Sequence, residues 1–327
     1  MNPNIMKYAA EEMNQYGKDG RPFFFMFDFE LEKPVIHPLD NLPDDILISC
    51  DLFNNAGQDK VINPKKLRLQ SYPVSFDIYK EAFDKVIRNI SLGNTYLLNL
   101  TFPSMISIDA GLGEIFHCSR ARYRLLYKNE FVVFSPEIFV KINSQGQISS
   151  YPMKGTIDAS VEDAERTILE DEKEKSEHNT IVDLIRNDLS INARNVRVIK
   201  YRYIDTVDTY DGKLLQVSSE IAGSIEPDWK DRAGTIITSM LPAGSISGAP
   251  KKETIRIIRE SEIDDRGYYT GIFGIFDGKE IDSGVMIRFI EQNEAGYVYR
   301  SGGGITFLSE VEKEYHELIK KIYVPAG

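Results

Sequence analysis

Apolar and polar positions divide this chain into segments of two kinds. From Phe76 to Ile90 the side chains Tyr79, Phe83, Val86, Ile87 and Ile90 recur at helical spacing, and Gly93 follows where a helix-ending glycine belongs. The strand TYLLNLTF comes next. RYRLLY, EFVVFSPEIFVKI and QISSYPM, separated by KNE and NSQGQ, then read as consecutive strands of an antiparallel meander. A long helix over ERTILEDEKEKSEHNTIVDLIRND follows, then two strands joined at YDGK, then helices around Trp229 to Leu241 and Pro250 to Glu262. The strands TGIFGIF, VMIRFIE and GYVYR and a final helix from Ser309 complete the pattern. The class is α+β: large antiparallel sheets flanked by helices.

Before residue 75 the longest apolar run is FFFMF, Phe23 to Phe27, far short of a membrane span. Glu11 and Glu12 mark the segment ahead of it as a small amphipathic helix rather than a signal peptide. No repeat or Pro/Gly/Ser linker divides the 327 residues, so one domain over 1–327 is predicted. With 50 acidic against 39 basic side chains the net charge is −11, and no basic run stands out. That excludes a nucleic-acid partner, and any anionic ligand needs countercharge placed locally. Cys50 and Cys118 show neither disulfide nor zinc spacing. A cytoplasmic protein with no membrane partner is expected.

Candidate chemistry begins with YPMKGT. A hairpin turn centred on Gln145 puts Glu137 opposite Met153 and beside Lys154, a carboxylate and an amine that could form a structural ion pair or a catalytic couple. Two helices carry glutamates three apart, Glu174 with Glu177 and Glu314 with Glu317, each pair sharing a face. On facing helices these four would make an oxygen-rich site suited to Mg²⁺, although an acidic helix is commonly just a solvated face. Two small-residue segments read as loops. PAGSISGAPKK runs into a helix and could offer free amides to a carboxylate, and SGGGIT lies between a strand and the final helix. Arg288 and Lys321 add positive charge on inward faces.

In this order SPE, PMKGT, EHNTIVDLIRNDLS, LPAGSISGAPK, RGYYTGIFG, MIRF, SGGGIT and EKEYHE resemble the chorismate-utilising enzymes. These comprise anthranilate synthase component I, aminodeoxychorismate synthase component I, and the isochorismate and salicylate synthases. The likeness covers about residues 75–325; by that likeness residues 1–74 are expected to be a shortened N-terminal portion, and a reduced or absent regulatory tryptophan pocket is an expectation it raises. It implies a sandwich of two large antiparallel sheets with the active site between them, and Mg²⁺ held by Glu177 and Glu317 with Glu174 and Glu314 nearby. Substrate contacts are implied for Ser245, Gly248, Tyr269, Arg288, Gly302, Gly303, Gly304 and Lys321.

Lys154 points within that family to aminodeoxychorismate synthase component I. Relatives of that kind have a nucleophilic lysine there, whereas anthranilate synthases have alanine; Glu137 is then the general acid. Leu97 stands where isochorismate synthases place a base, and Leu214 and Leu215 stand where amino-adding members have histidine. Neither cysteine sits in a glycine-flanked nucleophile turn, so ammonia is expected from a glutamine amidotransferase partner. Anthranilate synthase and a non-catalytic chorismate-binding subunit remain the alternatives.

Overall fold

Every side chain of FFFMF is buried, because this segment is an inner strand of the larger of two sheets. Phe25 lies opposite Gly274 on one side and Ile36 on the other. Phe23, Phe25 and Phe27 face a core shared with the helices, while Phe24 and Met26 face a core shared with the second sheet. A strand covered on both faces shows no alternation, so periodicity reads it only as an apolar run.

The computed structural model describes residues 3–57, 67–209 and 212–325. Among these residues the strands form two sheets, with all pairings antiparallel. The nine-stranded sheet runs Met153–Asp158, Gly212–Ser224, Gln147–Ser150, Ile138–Ile142, Ile281–Val285, Ile272–Phe276, Phe23–Phe27 and Val35–Pro38, with Arg194–Thr209 also paired to Gly212–Ser224. The seven-stranded sheet runs Ile46–Ser49, Tyr123–Tyr127, Phe131–Ser135, Phe289–Asn293, Gly296–Ile305, Leu98–Ile108 and Leu69–Tyr72. The α+β class therefore holds, and the segment before residue 75 supplies strands to both sheets. Tyr210 and Asp211 of the YDGK turn lie outside the described residues.

Five predicted elements differ. EFVVFSPEIFVKI and VMIRFIE are each two strands, because the chain leaves one sheet for the other at Pro136–Glu137 and at Met286–Arg288. The two corners are stitched together: Val285 N–H donates to Glu137 O (3.0 Å) and Phe134 N–H to Arg288 O (3.1 Å). Around the NSQGQ turn the predicted register is present, Lys141 facing Ser149, but past Ser150 the chain departs and Met153 pairs with Ser218 instead. The long helix breaks at Asp171, which caps the helix Glu172–Ser190 through Glu174 N–H (2.9 Å) and so sets the phase of the two glutamates that follow. SGGGIT is not a loop. Gly302, Gly303 and Gly304 continue the strand Gly296–Ile305 opposite Thr101, Leu100 and Asn99.

That strand pair is pinned from outside by a buried ion pair. Glu262 accepts from the Thr101 N–H (2.9 Å) and hydroxyl (3.0 Å), and from Arg266 (2.6 Å), which also donates to Asn99 O (2.5 Å). The Arg266 and Glu262 side chains are 1% and 3% exposed. Removing one partner of such a pair strands the other charge in low dielectric. Arg266→Met is therefore expected to lower unfolding free energy by about 3 kcal/mol, read from urea unfolding followed by fluorescence. A loss below about 1 kcal/mol would mean that the pair does not hold this sheet edge together.

Candidate active site

The glycine triplet is the floor beneath a cluster of charged side chains. A Cβ on Gly304 would stand 3.5 Å from both Lys154 Nζ and Glu177 Oε2, and one on Gly303 3.6 Å from Glu314 Oε2 and Glu317 Oε1. Three elements reach over this floor: the strand Met153–Asp158, the helix Glu172–Ser190 and the final helix Val311–Lys320. A side chain larger than hydrogen on the strand would fill the space they converge on.

The opposite charges interlock there. Lys154 Nζ lies 2.6 Å from Glu177 Oε2; Lys173 Nζ lies 2.6 Å from Glu314 Oε1 and 3.6 Å from Glu177 Oε1; Lys321 Nζ lies 2.7 Å from Glu317 Oε1. Lys321 also donates to the Gly302 carbonyl (2.8 Å). Glu177 and Glu314 are each 1% exposed. Burial alone would lower the Lys154 pKa, but Glu177, Glu174 and Glu317 outweigh it and hold the ammonium above the ordinary lysine value. Burial raises Glu174. It also works to raise Glu317, yet Lys321 and Lys154 prevail and bring that carboxyl down to about 2. Lys321 is lowered, chiefly by burial.

The predicted Glu137–Lys154 ion pair is replaced. Beyond Ser150 the two residues no longer share a ladder, so Lys154 pairs with Glu177 while Glu137 Oε1 accepts from the Ser245 hydroxyl (2.8 Å). Burial raises the Glu137 pKa, opposed by Ser245, Arg288, Lys154 and Lys321. Arg288 sits at its sheet corner with φ 54° and its guanidinium 5.1 Å from the Tyr323 ring centre, and its buried Nε has no hydrogen-bond partner. Tyr269 is buried, edge-on to Phe289.

The PAGSISGAPKK segment offers less backbone than its sequence promised. Gly244 N–H goes to Asp188, Gly248 N–H to Gly244 O, and those of Ile246 and Ser247 to Ala243 O, so these amides are spent within the fold. What the segment presents is the Ser245 side chain. Gly248 has φ 80°, and its Cβ position is only 1.9 Å from Leu97 O, so glycine is required. Leu97 itself borders Gly304. Leu215 is buried in its strand against Ile157 and Thr206. Lys173 was missed by sequence reasoning, although it stands four residues before Glu177 on a shared helix face.

The profile of the chorismate binding enzyme family matches residues 39–327. The chain belongs to this family. An uncharacterized PabA-like protein of Haemophilus influenzae is 48% identical over 325 residues, covering 99% of this chain and 98% of that protein. Anthranilate synthase component 1 of Leptospira biflexa is 30% identical over 76% of this chain and 56% of its own length. Aminodeoxychorismate synthase component 1 of Bacillus subtilis is 28% identical over 82% and 59%. Among solved structures, a putative 2,3-dihydroxybenzoate-specific isochorismate synthase, DhbC, from Bacillus anthracis superposes with a TM-score of 0.71 at 18% identity, covering 98% of this chain and 87% of that one, which is a likeness of fold.

For a chorismate-binding enzyme the glycine floor makes a direct prediction. Gly304→Val suits a strand but projects methyl groups at Lys154 and Glu177. It is expected to weaken chorismate binding at least about 30-fold, roughly 2 kcal/mol, while circular dichroism stays that of the parent. Unchanged affinity by calorimetry would place the substrate elsewhere.

Proposed function

We propose that this chorismate-binding enzyme is an aminodeoxychorismate synthase component I, converting chorismate and ammonia to 4-amino-4-deoxychorismate, the route to p-aminobenzoate and folate. The observation that carries this reading is the position of Lys154, a primary amine at the glycine floor where the resemblance expects alanine in an anthranilate synthase. An aminodeoxychorismate synthase component 1 stands among the relatives, beside an anthranilate synthase component 1 of similar identity.

A ring hydroxyl is a poor leaving group, and a covalent detour divides its displacement into two easier steps. Lys154 Nζ bonds to C2 of the ring, the double bonds shift and the C4–O bond breaks. Glu137, kept protonated more readily by burial, gives its proton so that the oxygen leaves as water. Ammonia then bonds to C4, the double bonds shift back, the C2–N bond to Lys154 breaks, and a proton from the new C4 ammonium returns to the Glu137 carboxylate. Arg288 and Lys321 would take substrate carboxylates. Isochorismate-type water addition is disfavoured by Leu97, which has no base to offer.

The residues present fit Mg²⁺. Glu174 Oε2, Glu177 Oε1 and Glu314 Oε2 are buried oxygens without a hydrogen-bond partner. Among the described residues no three acidic, His or Cys side chains gather into a ready-made cage, so the ion would take one or two carboxylates and complete its shell with water and substrate. Glu177 and Glu317 would hold it, with Glu174 and Glu314 acting through water. Bound there, it would supply countercharge to a substrate carboxylate and relieve the carboxylate charge that keeps Lys154 protonated.

The ammonia source is proposed to be a separate glutamine amidotransferase. Neither cysteine forms a disulfide, and burial pushes the Cys50 thiol up to about 12, opposite to a glutaminase nucleophile. Among the described residues no helix is long and apolar enough to cross a membrane; a cytoplasmic enzyme is the matching proposal.

Given chorismate, Mg²⁺ and an ammonium salt, the purified chain should yield 4-amino-4-deoxychorismate by mass and ultraviolet spectrum, and glutamine should not replace ammonium. Lys154→Ala should still bind chorismate but lose about 100-fold or more of 4-amination. Without ammonia the parent should gain mass on the peptide containing Lys154. Anthranilate as the product, or full activity of Lys154→Ala, would refute the assignment.

Glu177→Gln and Glu317→Gln are each expected to lower chorismate consumption at least about 100-fold and to abolish the heat of Mg²⁺ binding in the presence of chorismate. Wild-type Mg²⁺ titrations in both variants would remove these residues from the metal site.

A further inference from the structure

We propose that Asp188 is a positioning residue: it anchors the segment around Gly244 so that the Ser245 hydroxyl stays on Glu137. Its catalytic consequence rests on the reading of Glu137 as proton donor, whereas the anchoring itself does not.

Asp188 lies on the helix that carries Glu177, about three turns further on. Both its oxygens are committed to the PAGSISGAPKK segment. Oδ2 accepts from the Gly244 N–H (2.9 Å) and Oδ1 from Lys251 Nζ (2.9 Å), whose ammonium also donates to Met240 O (2.9 Å). A Cβ at position 244 would come within 2.6 Å of Asp188 Oδ2, so the glycine is what permits the approach.

Downstream, the segment is held at Ala249, whose carbonyl accepts from the Tyr96 N–H (3.1 Å) and the Thr95 hydroxyl (3.0 Å). Between the two clamps lies the single turn Gly244–Ser247, and Ser245 projects from it to Glu137 across the site. A serine hydroxyl orients a carboxyl group only if its own backbone is fixed, and a half-buried carboxylate holding an amide and an ammonium provides that fixation. One helix thereby carries both Glu177 and the anchor of the segment that holds the proton donor.

The groups facing Glu137 are the Ser245 hydroxyl, Arg288, Lys154 and Lys321, all of which favour its charged form against burial. Losing the Ser245 bond removes one of these influences, so the Glu137 pKa rises and the alkaline limb of the activity profile moves to higher pH.

The test is a double-mutant cycle on Asp188→Ala and Ser245→Ala, following chorismate disappearance so that a different product leaves the cycle readable. Each single variant is expected to lose about tenfold in kcat with KM changed less than about twofold, and the double variant should fall no further than Ser245→Ala. Both single variants should shift the alkaline limb upward. Amide hydrogen exchange, which needs no turnover, should rise over residues 242–249 in Asp188→Ala and not in the strand Gly212–Ser224. Gly244→Ala, which pushes the carboxylate away without removing it, should reproduce these effects and serves if Asp188→Ala does not fold. Additive losses of about 100-fold in the double variant or unchanged exchange at 242–249 would overturn the proposal, whereas raised exchange with an unshifted pH limb would overturn the reading of Glu137 as proton donor.

Discussion

Concentrating opposite charges against a strand of glycines is the constraint on which the site depends. Four glutamates gathered at the ends of two helices would repel one another and resist burial. Lys154, Lys173 and Lys321, each within an ion-pair distance of one or two of them, make the cluster tolerable. The neutralisation is incomplete at the level of hydrogen bonds, since one oxygen each of Glu174, Glu177 and Glu314 is buried without a partner. Buried oxygens in that condition are the observation on which the proposed Mg²⁺ rests.

The backbone serves this cluster in two ways. Gly302, Gly303 and Gly304 keep a full strand ladder while contributing no side chain, so the helices and the strand Met153–Asp158 can bring charged ends to within van der Waals distance of the sheet. The sheet corners at Glu137 and Arg288 are joined through their backbones where strands change layer, and the Arg288 charge favours the ionised form of Glu137. Chain that turns a corner exposes side chains in directions that a regular pleat does not. The Glu262–Arg266 pair then holds the outer side of the same glycine-bearing ladder.

Legibility in sequence varied with the range of the interaction involved. The helix Phe76–Ser91 and the register Lys141 opposite Ser149 depend on neighbours a few residues away, and periodicity with turn chemistry found both. FFFMF was invisible as a strand because burial on two faces erases alternation. SGGGIT was misread because glycine runs favour turns when only local preference is weighed, and here a partner strand decides. Arg288 sat within an apparently continuous strand, VMIRFIE, whose break is set by which sheet each half joins.

By itself, then, the sequence determined the α+β class, the ordered motifs that resemble the chorismate-utilising enzymes, and the residue types at the site: two glutamate pairs, a lysine after YPM and a glycine triplet. Tertiary structure alone decided the partners. Lys154 faces Glu177 and not Glu137, Glu137 faces Ser245, and Asp188 rather than the ligand takes the Gly244 amide. The physical reason is that a side chain's type and spacing are local properties of the chain. Which opposite charge or amide it meets depends on how separate strands and helices are brought together, and several pairings of the same charges satisfy the local rules equally well.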